Sequence, residues 1–230
     1  MISTVSRFVL RPLFWLVGGF VVLSFVWVVA YHYFPVPMTW LMARDSLDGK
    51  RVEHTWVPLT AMSRSLPRAV IGAEDANFCL HHGIDFEAVK AAAQANINGR
   101  KLRGGSTISQ QTAKNAFLWP GRSYVRKGLE AWFTVLIELV WGKPRIMEVY
   151  LNIVEMGPGI YGMPSASLHY FDTKVDRLSP KQAAQLTAIL PQPIKRSVAK
   201  PSKSVRRYAR RIERRVKVVR DEGIDACLWN

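Results

Sequence analysis

Cysteine and acidic residues are both scarce in this chain of 230 residues. Two cysteines cannot build a disulfide scaffold, and we expect Cys79 and Cys227 to be free thiols. Asp and Glu number 17 against 32 Lys and Arg, so the formal charge is +15 at pH 7. Such an excess indicates an anionic partner: nucleic acid, an acidic lipid surface or a phosphate-bearing substrate. Composition does not choose among the three.

Charge is absent altogether from residues 13–33, and Pro35 and Pro37 end this apolar run. A helix needs about 20 apolar residues to cross a bilayer. A cleaved signal peptide is the alternative, but the run is long for one and no A-x-A cleavage site follows it. We therefore predict a single transmembrane anchor over residues 13–34.

The charges that flank the anchor predict its orientation. Arg7 and Arg11 precede it, whereas no acidic residue does. Because Lys and Arg favour the cytoplasmic side, we expect residues 1–12 in the cytoplasm and the rest of the chain in the periplasm. That placement argues against nucleic acid as the partner. A polar linker is expected over residues 35–65.

Segments with the two-residue period of a strand are absent, and so are internal repeats. Helical spacing is present instead, as in the apolar stripe Leu129, Phe133 and Leu136, and it predicts a mainly α fold. The soluble part is expected to be one domain over residues 66–200, followed by a basic helix within residues 201–230. This helix either lies on anionic lipid or packs against the domain.

Residues 74–83, EDANFCLHHG, form the motif around which the chain is organised. If a helix begins there, Glu74, Phe78 and His81 follow i, i+4, i+7 spacing and share one face. Burial of Glu74 among apolar side chains would raise its pKa and make it a better general base. An acidic first turn that complements the helix dipole is the alternative interpretation.

A second motif follows a basic loop, Arg100 to Arg103, and begins at Gly104. Thr107 and Gln110 have the spacing of a capping box, and the helix start after two glycines offers free N–H groups to an anion. Lys114, one turn further along, is suited to a phosphate oxygen. A solvated polar face is the alternative.

A third group of charges surrounds Glu130. Arg126 lies four residues before it and Arg122 eight residues before it. Either Glu130 is the second carboxylate of a site, or Arg126–Glu130 is a weak surface ion pair. Glu148, Asn152 and Glu155, which share one predicted helix face, are expected to make structural polar contacts instead.

These motifs resemble those of the family 51 glycosyltransferases of bacterial peptidoglycan synthesis, in particular members without a transpeptidase domain. The family motif E-D-x-x-F-x-x-H-x-G matches residues 74–83, and G-x-S-T-I-x-Q-Q-x-x-K-N matches residues 104–115. R-K-x-x-E matches residues 126–130, and a fourth motif matches residues 148–157. The resemblance covers residues 66–193 and implies a lysozyme-like, two-lobed domain.

The resemblance also implies an activity and its residues. The substrate would be lipid II, onto whose 4-hydroxyl a lipid-linked glycan strand is transferred with inversion and release of polyprenyl pyrophosphate. Glu74 would be the general base, and Glu130 would assist at the donor, directly or through a divalent cation, Mg²⁺ or Mn²⁺. The pyrophosphate would be bound by a set of cationic and neutral polar side chains: Lys114, Arg122, Gln110, Gln111, Ser106 and Arg126. Cell wall synthesis or division proteins are possible partners.

Two other functions remain open at this level. A lytic transglycosylase shares the helical fold and a catalytic glutamate, but it must protonate a glycosidic oxygen, which gives Lys114 and Arg122 no purpose. A non-catalytic scaffold of the cell envelope is the alternative of another class. Incubation with lipid II distinguishes the three.

Overall fold

The computed structural model describes residues 11–97 and 105–229. Arg7, the basic loop over residues 100–103 and Gly104, on which parts of the sequence interpretation depend, lie outside these ranges. The mainly α fold is confirmed. The helices are α1 Arg11–Tyr33, α2 Trp40–Leu47, α3 Ser65–Glu74, α4 Phe86–Ile97, α5 Ile108–Phe117, α6 Tyr124–Val140, α7 Gly142–Ile153, α8 Met163–Phe171, α9 Pro180–Thr187 and α10 Lys203–Asp221.

Side-chain caps begin several of these helices. Ser179 accepts a hydrogen bond from the backbone of Gln182 at 3.3 Å, and Pro180 occupies the first turn of α9. Ser123 caps α6 through the N–H of Arg126 at 3.1 Å. Each cap supplies an acceptor to a backbone N–H that the helix itself leaves unpaired, which typically stabilises the helix by about 1 kcal/mol.

A small three-stranded sheet, β1 Glu53–His54, β2 Glu155–Gly157 and β3 Ile160–Tyr161, was not expected. Strand β3 lies in the centre, parallel to β1 and antiparallel to β2. Strands of two or three residues are too short to show a two-residue period, which is why the sequence pattern missed them. Gly162 follows β3 with φ +81°, and a Cβ there would lie 2.3 Å from the carbonyl oxygen of Asn152.

One hydrophobic core joins the helices of the domain, and it includes Met42 of α2 and Leu59, which lie in the predicted linker. Helix α5 packs between α6 and α7, and α10 packs against α3 and α9. The apolar face of α10, including Ile212 and Val216, is buried in this contact, so the basic C-terminal helix is part of the domain. Arg215 on α10 donates to the carbonyl oxygen of Gly72 on α3 at 2.6 Å, next to the end of that helix.

Helix α1 is long and apolar enough to cross a membrane, and it packs along α6. Trp141 donates to the backbone oxygen of Val28 at 2.8 Å, and Trp132 donates to the hydroxyl of Ser24 at 3.1 Å. Arg145 donates to the carbonyl oxygen of Tyr31 at 2.7 Å, near the end of α1. The anchor is therefore bonded to the domain by side chains as well as joined to it by the chain.

The expectation of two free thiols is wrong. Cys79 and Cys227 form a disulfide bond, with their Cα atoms 5.6 Å apart and a sequence separation of 148. Sequence spacing cannot predict a contact over that distance, because only the packing of α10 against α3 brings the C-terminal segment beside residue 79. The bond links the segment after Glu74 to the segment after α10.

Candidate active site

Glu74 stands at the end of a helix, not at its beginning. Helix α3 ends at Glu74, and Asp75 is its C-cap, so the predicted helical face shared by Glu74, Phe78 and His81 is wrong. Phe78 is nevertheless fully buried in the core. The acidic pair misled the prediction because acids are common in first turns, whereas the buried face of α3 lies before the motif, at residues such as Leu66 and Val70.

Asp75 connects the three segments around Glu74. Its buried carboxylate lies 3.0 Å from Nε2 of His81 and accepts a hydrogen bond from the backbone N–H of Ile108 at 2.9 Å. Ile108 is the first residue of α5, where backbone N–H groups have no partner within the helix. Asp75 therefore holds the end of α3 against the start of α5.

The predicted capping box at the start of α5 is confirmed. The hydroxyl of Thr107 accepts from the N–H of Gln110 at 3.1 Å, and the side-chain oxygen of Gln110 accepts from the N–H of Thr107 at 3.0 Å. Gln110 is consequently buried and lines neither cavity of the site described below. Its neighbour Gln111 turns the other way, toward Glu74.

Two adjoining cavities form a groove across the domain. The first, the glutamate cavity, has a volume of about 790 Å³ and contains Glu74 and Ser106. The second, the Arg122 cavity, has a volume of about 390 Å³ and contains Arg122 and Arg126. Both are lined by Lys114, which therefore lies at their junction. The two cavities also share Gln111, Leu190 and Pro191 in their linings.

Burial raises the pKa of Glu74 above the ordinary value of 4.5. Two groups oppose this rise: Gln111, whose side-chain nitrogen donates to the carboxylate at 3.3 Å, and the positive charge of Arg196. Tyr150, fully buried, donates in turn to the side-chain oxygen of Gln111 at 3.3 Å. A carboxylate with a raised pKa and a fixed orientation is suited to accept a proton at neutral pH.

Burial lowers the pKa of Lys114, and the carboxylate of Glu130 opposes this change. Within the described residues, Lys114 forms no ion pair and no side-chain hydrogen bond. A half-buried ammonium without an anionic partner has lost hydration that a bound anion would replace. Lys114 is therefore a candidate ligand for a negatively charged group in the groove.

Glu130 is buried and pairs with two cations. Arg126 lies 3.6 Å away, and Lys127 donates to the other carboxylate oxygen. Because the side chains of Glu130 and Arg126 are only 5% and 12% exposed, the pair is not a surface ion pair. The Nε of Arg126 is buried without a hydrogen-bond partner. Glu130 thus positions Arg126, whose guanidinium retains an unused donor beside the Arg122 cavity.

The described residues contain no group of three or more His, Cys, Asp or Glu side chains suited to a metal ion. Glu130 is already neutralised by Arg126 and Lys127. These side chains do not fit a divalent cation bound by the protein alone.

Comparison with known proteins identifies the family. The model of the family described as Transglycosylase matches residues 42–221. A biosynthetic peptidoglycan transglycosylase of Caulobacter vibrioides is 53% identical over 87% of this chain and 88% of its own length. Another, of Rhodospirillum centenum, is 46% identical over 95% of each chain. This chain belongs to the transglycosylase family.

The transglycosylase match extends past the last motif seen in the sequence and includes α10. Five residues after residue 193 line the glutamate cavity: Arg196, Ser204, Val205, Tyr208 and Arg211. The ring of Tyr208 lies between the two guanidinium groups, with centroid distances of 5.7 Å to Arg196 and 5.5 Å to Arg211. Tyr208 is half-buried beside the apolar face of α10 and reaches the groove.

Glu155 is a further residue of the groove, and the sequence did not reveal its environment. Glu148 and Asn152 make the expected structural contacts, Glu148 with the N–H of Leu59 at 2.7 Å and Asn152 with the N–H of Val57 at 2.9 Å. Glu155 instead lines the Arg122 cavity, and burial raises its pKa. Helix α7 ends at Ile153, so Glu155 does not share the helical face on which its prediction was based.

Proposed function

We propose that this chain polymerises peptidoglycan glycan strands, transferring the lipid-linked growing strand onto lipid II. Family membership and the relatives' name, biosynthetic peptidoglycan transglycosylase, support the reaction class. The observation that carries the proposal is the groove itself. It places a carboxylate of raised pKa in one cavity, and in the next the cationic side chains of Lys114 and Arg122, which form no ion pair among the described residues.

Glu74 is the general base of the proposed reaction. It removes the proton from the 4-hydroxyl of the acceptor sugar, and the oxygen attacks the anomeric carbon of the donor strand. The bond from that carbon to the pyrophosphate oxygen breaks on the opposite side, so the configuration inverts. Gln111 holds the carboxylate toward the groove through its 3.3 Å hydrogen bond. One base suffices, since the leaving group needs no proton.

Cationic side chains stabilise the leaving group in this mechanism. As the bond breaks, negative charge grows on the pyrophosphate, and preorganised donors lower the barrier most where that charge develops. Lys114, Arg122 and Arg126 line the Arg122 cavity and supply such donors. Ser106 and Gln111 line the glutamate cavity and bind the sugar side of the substrate. Gln110 has no place in this assignment because its amide caps α5.

The proposed location is the cytoplasmic membrane, with the domain on its outer face. Helix α1 supplies the span, and α6 beside it exposes Val125 and Leu139, 72% and 77% accessible, which extend the apolar surface of the anchor. The disulfide between Cys79 and Cys227 fits an oxidising compartment and not the cytoplasm. A groove near the bilayer suits a substrate that carries a polyprenyl chain.

Polymerisation of purified lipid II by the full-length protein tests this function. We expect glycan polymer from the wild type and none from Glu74→Gln, while Glu87→Gln, an exposed acid on α4, serves as the matched control with full activity. Cleavage of mature peptidoglycan with lipid II left intact would identify a lytic enzyme instead. Full activity of Glu74→Gln would reject Glu74 as the base, whereas no activity of the wild type on either substrate would favour a non-catalytic scaffold. Repeating the assay with a chelator tests whether the reaction uses a divalent cation such as Mg²⁺ or Mn²⁺.

A further inference from the structure

Four arginines on α10 share one exposed face, and the proposed mechanism uses none of them. Arg207, Arg210, Arg211 and Arg214 follow i, i+3, i+4, i+7 spacing, and all four are exposed. Together with Ser204 and one acid, Glu213, they line an open depression of about 720 Å³, and we call the four arginines the arginine face. Seven residues of helix make this face about 10 Å long.

The arginine face carries positive charge that the described part of the protein does not neutralise. None of its four members forms an ion pair within residues 11–97 and 105–229. Two other arginines of α10 do have partners. Arg215 donates to the backbone of α3 at 2.6 Å, and Arg220 pairs with Asp221 at 2.9 Å.

The arginine face is continuous with the groove. Arg211 and Ser204 line both the depression and the glutamate cavity that contains Glu74. Arg211 is held at this boundary by its contact with the ring of Tyr208, 5.5 Å from the centroid. A polymer that enters or leaves the glutamate cavity on this side therefore passes over the other three arginines.

We propose that the arginine face binds the peptide stems of the glycan strand through their carboxylates. This proposal rests on the proposed function, under which each disaccharide carries a pentapeptide joined by its N-terminus, so that its terminal carboxylate is free. Guanidinium groups bind carboxylates with two parallel hydrogen bonds. A strand held outside the groove dissociates less readily between successive transfers, which favours long products.

Anionic lipid is the other source of negative charge, and the structure favours the strand. A basic helix that lies on a bilayer needs a free apolar face to insert. The apolar face of α10, with Ile212 and Val216, is buried against the domain. The anchor α1 packs on α6, whereas α10 packs on α3 and α9. The arginine face adjoins the catalytic groove, which is where the strand must be.

The test compares two triple variants of the full-length protein. The first is Arg207→Gln, Arg210→Gln and Arg214→Gln, which leaves the groove residue Arg211 in place. The control is Arg51→Gln, Arg177→Gln and Arg220→Gln, which removes the same charge from three exposed positions that line no described cavity. Binding is measured with soluble glycan strands that carry peptide stems, with the same strands after amidase treatment, and with phosphatidylglycerol vesicles.

We expect the first variant to bind stem-bearing strands about tenfold more weakly than wild type, as the loss of three modest exposed charge contacts implies. It should still couple lipid II but should release shorter polymers, and stem-free strands should bind both forms equally. The control should match wild type in every assay. Stem-bearing strands bound equally by both variants, or a loss confined to vesicle binding, would overturn the proposal. Both outcomes can be observed while the protein still couples lipid II. They are therefore distinguishable from failure of the proposed function, in which no lipid II is coupled.

Discussion

The carboxylate of Glu74 at the end of α3 accepts a hydrogen bond from the side-chain nitrogen of Gln111 on α5, 3.3 Å away. This contact joins two motifs that are separated in sequence by the basic loop. The remaining oxygen of Gln111 accepts from the buried hydroxyl of Tyr150. The orientation of Glu74 therefore depends on an amide whose own position is set by a third helix.

Replacing Glu74 by Gln should abolish polymerisation without destabilising the fold. The raised pKa means that the folded state binds a proton more tightly than the unfolded state. Ionised Glu74 therefore reduces stability, and this cost appears as the pH rises above the unfolded value of about 4.5. Urea unfolding at pH 7 should show Glu74→Gln at least as stable as wild type, with the difference vanishing below pH 4. A large loss of stability at pH 7 would show that the ionised side chain is structural.

The acidic limb of the activity profile should move when Arg196 is replaced. Its charge lowers the pKa of Glu74, so Arg196→Gln should raise that pKa and shift the acidic limb of kcat/KM toward higher pH. The control is Arg177→Gln, which removes an exposed charge that is not part of the cavity lining. The measurement is the pH profile of kcat/KM for wild type and both variants over about pH 4–9, the range in which a general base titrates. An unmoved limb would mean that another group titrates there.

Lys114→Ala should lower kcat/KM by roughly 10²- to 10³-fold, the usual effect of removing one preorganised donor to developing charge. Stability should not fall, because the half-buried ammonium has no ion-pair partner among the described residues and its burial is unfavourable. Steady-state kinetics with lipid II and thermal unfolding measure the two quantities. Lys90→Ala on α4, an exposed position, is the control. An unchanged kcat/KM would show that Lys114 does not stabilise the leaving group.

The disulfide should contribute about 2–5 kcal/mol to the free energy of unfolding, as is typical of native bonds that close long loops. The double variant Cys79→Ser, Cys227→Ser should therefore have a lower Tm than wild type. Reduced wild type should match the double variant, while the double variant itself should not respond to reductant. Equal stability of oxidised and reduced wild type would contradict a structural role for the bond.

Local features of the site were predictable because they depend on neighbours in the chain. The capping box of Thr107 and Gln110 was one of these. The helix at Glu74 was placed on the wrong side of the residue, because the acidic pair alone does not show whether the apolar stripe lies before or after it. Resemblance to a family singled out Glu74 as the general base, and the structure places it in the glutamate cavity, although the predicted local helix was wrong.

The sequence alone determined the mainly helical class, the apolar anchor and the motifs that identify the family, since each is a pattern among residues close together in the chain. Only the tertiary structure decided that Cys79 meets Cys227, that Arg196 and Tyr208 enter the cavity of Glu74, and that Gln110 does not. These are contacts between helices far apart in sequence. They depend on how the apolar faces of α3, α9 and α10 pack together, and side-chain spacing within one helix carries no information about which partner it meets.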